Sequence, residues 1–189
     1  MRKLHRIVTL LLATLLAAVS VAAVGQPAQA DTTLPVGAFR LLNYGSWKCV
    51  EVAPDSAGNL FSNGNRIWQR ACDGSPQQSW LLTRATNGPI GGLGTVVRYL
   101  FVNQYTGRCL DLKDGNAVDG AIIQQWACNA NSTTMLWGLY DDFQSSRQLV
   151  NARSADCLDV QGGSLADRAW LQNYHCTLGN PAQHFFLYQ

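Results

Sequence analysis

Short apolar runs with a period of two recur along the chain. "RYLFVN" (98–103), "AIIQQWAC" (121–128) and "RQLVN" (147–151) alternate or are rich in β-branched and aromatic residues, and Gly, Asn, Asp or Ser bounds each one. Such runs predict half-buried β-strands. After residue 30 no stretch sustains a helical period, so the predicted class is all-β. "ATNGPIGGLG" (85–94), dense in Gly and Pro, reads as a surface loop.

The runs belong to a longer repeat. "LLNYGSWKCVEV" (41–52), "FVNQYTGRCLDL" (101–112) and "LVNARSADCLDV" (149–160) align without a gap, with Asn43, Asn103 and Asn151 each six residues before a cysteine. A second cysteine follows in each unit, at Cys72, Cys128 and Cys176, and the first unit carries four extra residues, placed within "LFSNGN" (60–65). Each unit closes on a related triplet: Gln78-Ser79-Trp80, Met135-Leu136-Trp137 and Gln183-His184-Phe185. The units span roughly 37–84, 97–142 and 146–189. Units of about four short strands cannot each bury a face alone, so they must share one core about a pseudo-threefold axis.

The N-terminus follows a different plan. Arg2, Lys3 and Arg6 precede an apolar run from Ile7 to Val24, and Ala28-Gln29-Ala30 offers a small-residue cleavage site. Residues 1–30 read as a secretory signal rather than an uncleaved anchor, with 31–36 as a short linker and 37–189 as one domain. The expected protein is secreted and free of the membrane once the signal is cleaved. Removing the signal leaves eleven basic against twelve acidic residues. That balance argues against a nucleic-acid partner, which calls for a basic stripe. All six cysteines lie in the exported part, where disulfides persist. Six cysteines allow fifteen pairings, and repetition rather than spacing selects among them.

Three units of this length, each with C-[LV]-[DE]-[VL], a cysteine pair and a closing triplet of the Q-x-W type, resemble the ricin-B-type β-trefoil lectins, also classed as carbohydrate-binding module family 13. The match covers essentially all of 37–189. The resemblance implies a six-stranded barrel capped by three hairpins, with the closing triplets serving mainly the core. It also implies one disulfide inside each repeat: Cys49 with Cys72, Cys109 with Cys128 and Cys157 with Cys176.

If each disulfide sets the register of an antiparallel hairpin, Asp111 stands opposite Trp126, Asp159 opposite Tyr174, and Glu51 opposite Arg70 in a self-neutralising pair. Leu110 and Leu112 then point inward while Cys109 and Asp111 share the outer side. A carboxylate beside an aromatic ring and an amide suits a sugar, whose C–H face lies on the ring while vicinal hydroxyls donate to the acid. In the resembled family the acid two after the first cysteine and the aromatic two before the second are the usual sugar contacts. The candidate sites are therefore Asp111, Gln124 and Trp126 in the second unit, and Asp159, Gln172 and Tyr174 in the third. The family's Asn-Gln pair before the last aromatic is replaced by Thr134-Met135 in the second unit. In the third, Gln183 is kept and Asn180 is the candidate substitute for the missing asparagine. The third unit ranks first, the second next and the first last.

Catalysis has little to build on. His175 and His184 lack metal-ligand spacing, and "GGSLA" (162–166) is not a nucleophile elbow. Asp141-Asp142 reads as a solvated turn rather than a glycosidase pair. The expectation is a monomeric, non-catalytic lectin without cofactor or metal, recognising galactose-like or pentose-containing polysaccharides or glycoconjugates. The alternatives are a protein-binding or inhibitory trefoil with vestigial sugar sites, and an accessory module of a separate glycoside hydrolase.

Overall fold

The alternation in each repeat folds as four strands. In the computed structural model, which describes residues 37–189, the first repeat contributes β1 (Ala38–Asn43), β2 (Cys49–Val52), β3 (Ile67–Arg70) and β4 (Trp80–Pro89). The second contributes β5 (Thr95–Asn103), β6 (Arg108–Leu112), β7 (Ala121–Ala127) and β8 (Trp137–Phe143). The third contributes β9 (Ser146–Asn151), β10 (Cys157–Val160), β11 (Ala169–Tyr174) and β12 (His184–Tyr188). The expected signal and linker lie outside the described residues. Among those described, only single 3₁₀ turns interrupt the β structure.

Outer strands of each repeat pair in a ring, β1 with β4, β4 with β5, β5 with β8, β8 with β9, β9 with β12 and β12 with β1, which closes a six-stranded barrel. Inner strands form the hairpins β2–β3, β6–β7 and β10–β11, and β11 pairs with both β3 and β7 to join them into a cap. This is a β-trefoil.

Threefold sets of apolar side chains fill the shared core. Leu41, Phe101 and Leu149 come from the barrel, Val50, Leu110 and Leu158 from the hairpins, and Trp80, Trp137 and Phe185 from the closing triplets, all fully buried. Burying each is worth about 1.5–3 kcal/mol. The indole N–H of Trp80 donates to the carbonyl of Val50 at 3.0 Å, and that of Trp137 to Leu110 at 3.1 Å, so each of the two indoles ties the end of its repeat to its own hairpin.

Buried amides link one repeat to the next. Asn43 donates to the carbonyl of Ala182 at 3.2 Å, Asn103 to Gln77 at 2.8 Å and Asn151 to Thr134 at 2.8 Å, each reaching the residue before the closing triplet of the preceding repeat. Gln69, Gln125 and Asn173 donate to loop carbonyls of a neighbouring repeat at Ser164, Leu60 and Val118, and accept from Ser46, Thr106 and Ser154 in their own. Full pairing is what makes such burial of amides tolerable.

Two readings of the chain need correcting. The 85–94 segment is not a loop: β4 runs to Pro89, and only 90–94 turns. The turn is anchored because Ile90 is fully buried with Val150 and Cys157 of the third repeat, an apolar contact that outweighs the Gly and Pro content. Asp141 and Asp142 likewise lie within β8, and the turn that follows falls at Gln144 and Ser145, both with positive φ (47° and 66°).

Candidate functional site

All three disulfides close inside their repeats, Cys49–Cys72, Cys109–Cys128 and Cys157–Cys176, and no described cysteine is free. They do not set the register. Asp111 stands opposite Gln124, and Trp126 faces Cys109. Asp159 faces Gln172 and Tyr174 faces Cys157, while Glu51 faces Trp68 and Arg70 faces Cys49. The predicted pairing was two residues out because each second cysteine lies beyond the end of its strand, where the chain is leaving the ladder. Parity survives the shift, so acid, amide and aromatic still share one outer face.

In the second repeat the direct opposition gives a hydrogen bond from Gln124 Nε2 to Asp111 Oδ2 at 2.8 Å. Thr134 donates to Oδ1 at 2.6 Å. Each carboxylate oxygen thus keeps a lone pair for a ligand donor. Asp111 is 4% exposed and forms the floor of a cavity of about 550 Å³, with Gln124, the half-exposed Trp126 and Asn129 on its walls. Asp114 and Arg153, the latter from the third repeat, reach its edge. Burial pushes the Asp111 carboxyl above its ordinary value, partly offset by the Gln124 and Thr134 hydrogen bonds, and the nearby Asp114 charge adds to the rise.

The four extra residues of the first repeat serve this site. Asn63 Oδ1 accepts from the Ala127 N–H at 2.9 Å, and the Gly64 N–H donates to Gln125 at 2.9 Å. A side chain at Gly64, whose φ is +89°, would sit 3.9 Å from both Gln124 and Trp126. The insertion therefore braces β7 from the side.

The third repeat repeats the core of this arrangement. Gln172 Nε2 donates to Asp159 Oδ1 at 2.8 Å, and burial raises the Asp159 carboxyl against hydrogen bonding by Gln172 and Gln183. Tyr174 packs on His175 with ring centroids 4.5 Å apart, and His175 Nδ1 lies 2.8 Å from Asp119 Oδ2 of the second repeat. Gln183 is fully buried, accepting from the Thr177 N–H at 2.8 Å and donating to the His175 carbonyl at 2.9 Å. Asn180 does not stand in for the missing asparagine. Its side-chain oxygen accepts from the Ala182 N–H at 3.1 Å, capping the 3₁₀ turn Pro181–Gln183, and it lines a cavity beside Trp47 instead.

The first repeat is closed on itself. Glu51 is 1% exposed, accepting from Trp68 Nε1 and from Gln78 Nε2, both at 2.8 Å. Arg70 is a lesser partner than expected, 3.9 Å from Glu51 and 3.5 Å from Asp73. The register again explains this: the indole, not the guanidinium, stands across from the acid.

Sequence reasoning missed Thr134, Asp119 and the bracing loop. Thr134 had a signal, since it fills a position where a donor to the acid was wanted and offers a hydroxyl. Met135 also fits better than its type suggests: its Sδ accepts the Asn129 N–H at 3.3 Å, where Gln78 and Gln183 use Oε1 for Asp73 and Thr177. Asp119 and the bracing loop come from other repeats and left no local mark. No His/Cys/Asp/Glu cluster fit for a metal occurs among the described residues.

A threefold barrel with acid-floored hairpins defines the class as a β-trefoil of the lectin type. The family model of the ricin-type β-trefoil lectin domain matches residues 37–185, and the chain belongs to that family. Among solved structures it is similar to the designed threefold-symmetric protein ThreeFoil, at 25% identity over 82% of this chain and 99% of that one, TM-score 0.70. It also resembles an exo-β-1,3-galactanase from Clostridium thermocellum (24% identity, TM-score 0.68), covering 82% of this chain but 31% of the enzyme. The Rhizoctonia solani agglutinin aligns over 85% of this chain and 99% of its own, at 15% identity and TM-score 0.64. No curated protein shows a significant sequence match.

Proposed function

We propose that the protein is a secreted, non-catalytic lectin that binds galactose-like or pentose-containing polysaccharides or glycoconjugates at its second and third repeats. The observation that carries this reading is Asp111: a buried carboxylate with each oxygen held by one fixed donor, at the floor of an open cavity beside the exposed ring of Trp126. Vicinal sugar hydroxyls donate to the remaining lone pairs, Gln124 Oε1 accepts a further hydroxyl, and the indole takes the apolar sugar face. The cavity puts this set ahead of Asp159, Gln172 and Tyr174, which act as the second site. Glu51, already satisfied by Trp68 and Gln78, takes no ligand.

A single shallow site of this kind binds at about millimolar Kd, roughly −4 kcal/mol. Two on one rigid body gain about 10² to 10⁴ in avidity on a polymer, which favours polysaccharide over free sugar. A glycan array probed with residues 31–189 tests the reading: retention on galactosides or pentose polymers supports it, and a blank array refutes it.

A further inference from the structure

The pseudo-threefold symmetry supplies an internal control for every surface feature, because whatever the fold requires should recur at all three junctions between repeats. One junction breaks the pattern. Where the first repeat meets the third, the positions are Tyr44, Trp47 and Phe186; the equivalent trios are Gln104, Gly107 and Leu81, then Ala152, Ala155 and Gly138. The backbone is conserved across the three, since Tyr44, Gln104 and Ala152 each donate to the closing segment of the preceding repeat at 2.8 Å. At these equivalent positions the fold thus does without aromatics at two junctions and carries three at the other, although Phe61 and Tyr105 pack on each other elsewhere between the first and second repeats.

Those rings are not core. Trp47 is 64% exposed and stacks on Phe186 at 5.7 Å with planes 27° apart, while Tyr44 lies 5.7 Å from Phe186. Trp47 also has φ +55°, in the left-handed region where its counterparts Gly107 (+68°) and Ala155 (+63°) are small. A bulky side chain held in such a conformation and left in solvent points to function rather than folding.

Three cavities, of about 700, 370 and 420 Å³, meet at this one indole. Among the described residues no carboxylate lines any of them, whereas Arg40 lines the second. Arg40 makes no ion pair among the described residues. This is the reverse of the hairpin sites, which are built around an acid. Aromatic faces accept the C–H side of sugar rings, adjoining hollows suit successive units of a chain, and guanidinium groups pair with carboxylate or sulfate.

We propose that the Tyr44–Trp47–Phe186 junction is a second binding surface, separate from the hairpins, for an anionic polysaccharide whose ring stacks on Trp47 and whose acid group pairs with Arg40. Only the choice of ligand class leans on the lectin reading, since none of these residues touches Asp111 or Asp159.

The test is titration calorimetry of the mature chain with polygalacturonate and with its fully methyl-esterified, neutral form. Polygalacturonate binds, and the ester binds at least tenfold more weakly. Trp47→Ala weakens polygalacturonate at least tenfold, and Arg40→Gln removes the preference for acid over ester. Trp47→Gly, which suits the positive φ, loses binding while keeping or raising Tm. The proposal fails if polygalacturonate does not bind, if Trp47→Ala binds as the parent does, or if Arg40→Gln keeps the preference. It also fails if Trp47→Gly lowers Tm by several degrees, or if sedimentation shows that Trp47 is covered in a self-associated dimer. Failure of the hairpin sites on a glycan array would leave this surface standing, so the two outcomes are separable.

Discussion

The hydroxyl of Thr134 lies 2.6 Å from Oδ1 of Asp111 and donates to it, taking the part that Gln78 plays for Glu51 in the first repeat. The same hydroxyl is 2.7 Å from Ser132 Oγ, so it belongs to a short chain of donors leading into a buried carboxylate. Thr134→Val keeps the shape and removes the donor. Hydrogen bonds to buried charged groups are worth about 1–3 kcal/mol, and a loss of that size is expected in urea unfolding together with weaker sugar retention. Thr134→Ser should restore both.

Gly138 is the residue that lets the β4–β5 turn dock. A Cβ there would lie 2.8 Å from Ile90 Cδ1 and 3.1 Å from Tyr140 Cε2, and Ile90 is fully buried with nowhere to retreat. Gly138→Ala should cost about 1–3 kcal/mol in unfolding free energy. Gly92→Ala, in the same turn with open space around it, should stay within about 0.5 kcal/mol.

Because the disulfides close each hairpin without defining its register, removing one should loosen the molecule but not rearrange it. The Cys109–Cys128 bridge spans 19 residues. Its replacement by two alanines should cost about 3 kcal/mol and lower Tm. Sugar retention measured well below that Tm should stay within threefold of the parent, since Asp111 and Gln124 remain opposed through the β6–β7 ladder.

Burial raises the carboxyls of Asp111 and Asp159 above the ordinary 3.8. A raised native-state pKa means the folded protein holds the proton more tightly than the unfolded chain. Ionisation of these two acids therefore costs stability above their folded pKa values, and the cost disappears as pH falls through those values towards 3.8. Sugar retention, which needs the ionised form, should decline over the same window. The Tm advantage of Asp111→Asn with Asp159→Asn over the parent should shrink as pH is lowered from 7 to 4, as followed by scanning calorimetry.

Fold and composition of the site were legible because repetition writes them three times. Leu110 and Leu112, Leu158 and Val160, and the closing aromatics mark the core, and the outer face of each hairpin follows from parity alone. The register was not legible, because Cys72, Cys128 and Cys176 sit past the strand ends and a bond between side chains tolerates a diagonal offset that a backbone ladder does not. Ile90 hid inside a Gly/Pro-rich segment whose local signal is a turn, and only a contact with Val150 and Cys157, some sixty residues away, makes it core. Asp119, which pairs with His175 beside Tyr174, reaches its site across a repeat boundary, where spacing carries no information.

The double substitution Asp111→Asn with Asp159→Asn addresses the central claim most directly. Asparagine fits both places: at position 111 its oxygen accepts from Gln124 Nε2, while its amide donates to Thr134, whose hydroxyl turns towards Ser132 Oγ. Affinity electrophoresis through immobilised galactoside or pentose polymer, run beside a thermal melt, should then give a protein with Tm at or above the parent's at pH 7 and no retardation in the gel. Undiminished retardation of that variant would contradict the assignment of these two acids as the sugar-binding groups.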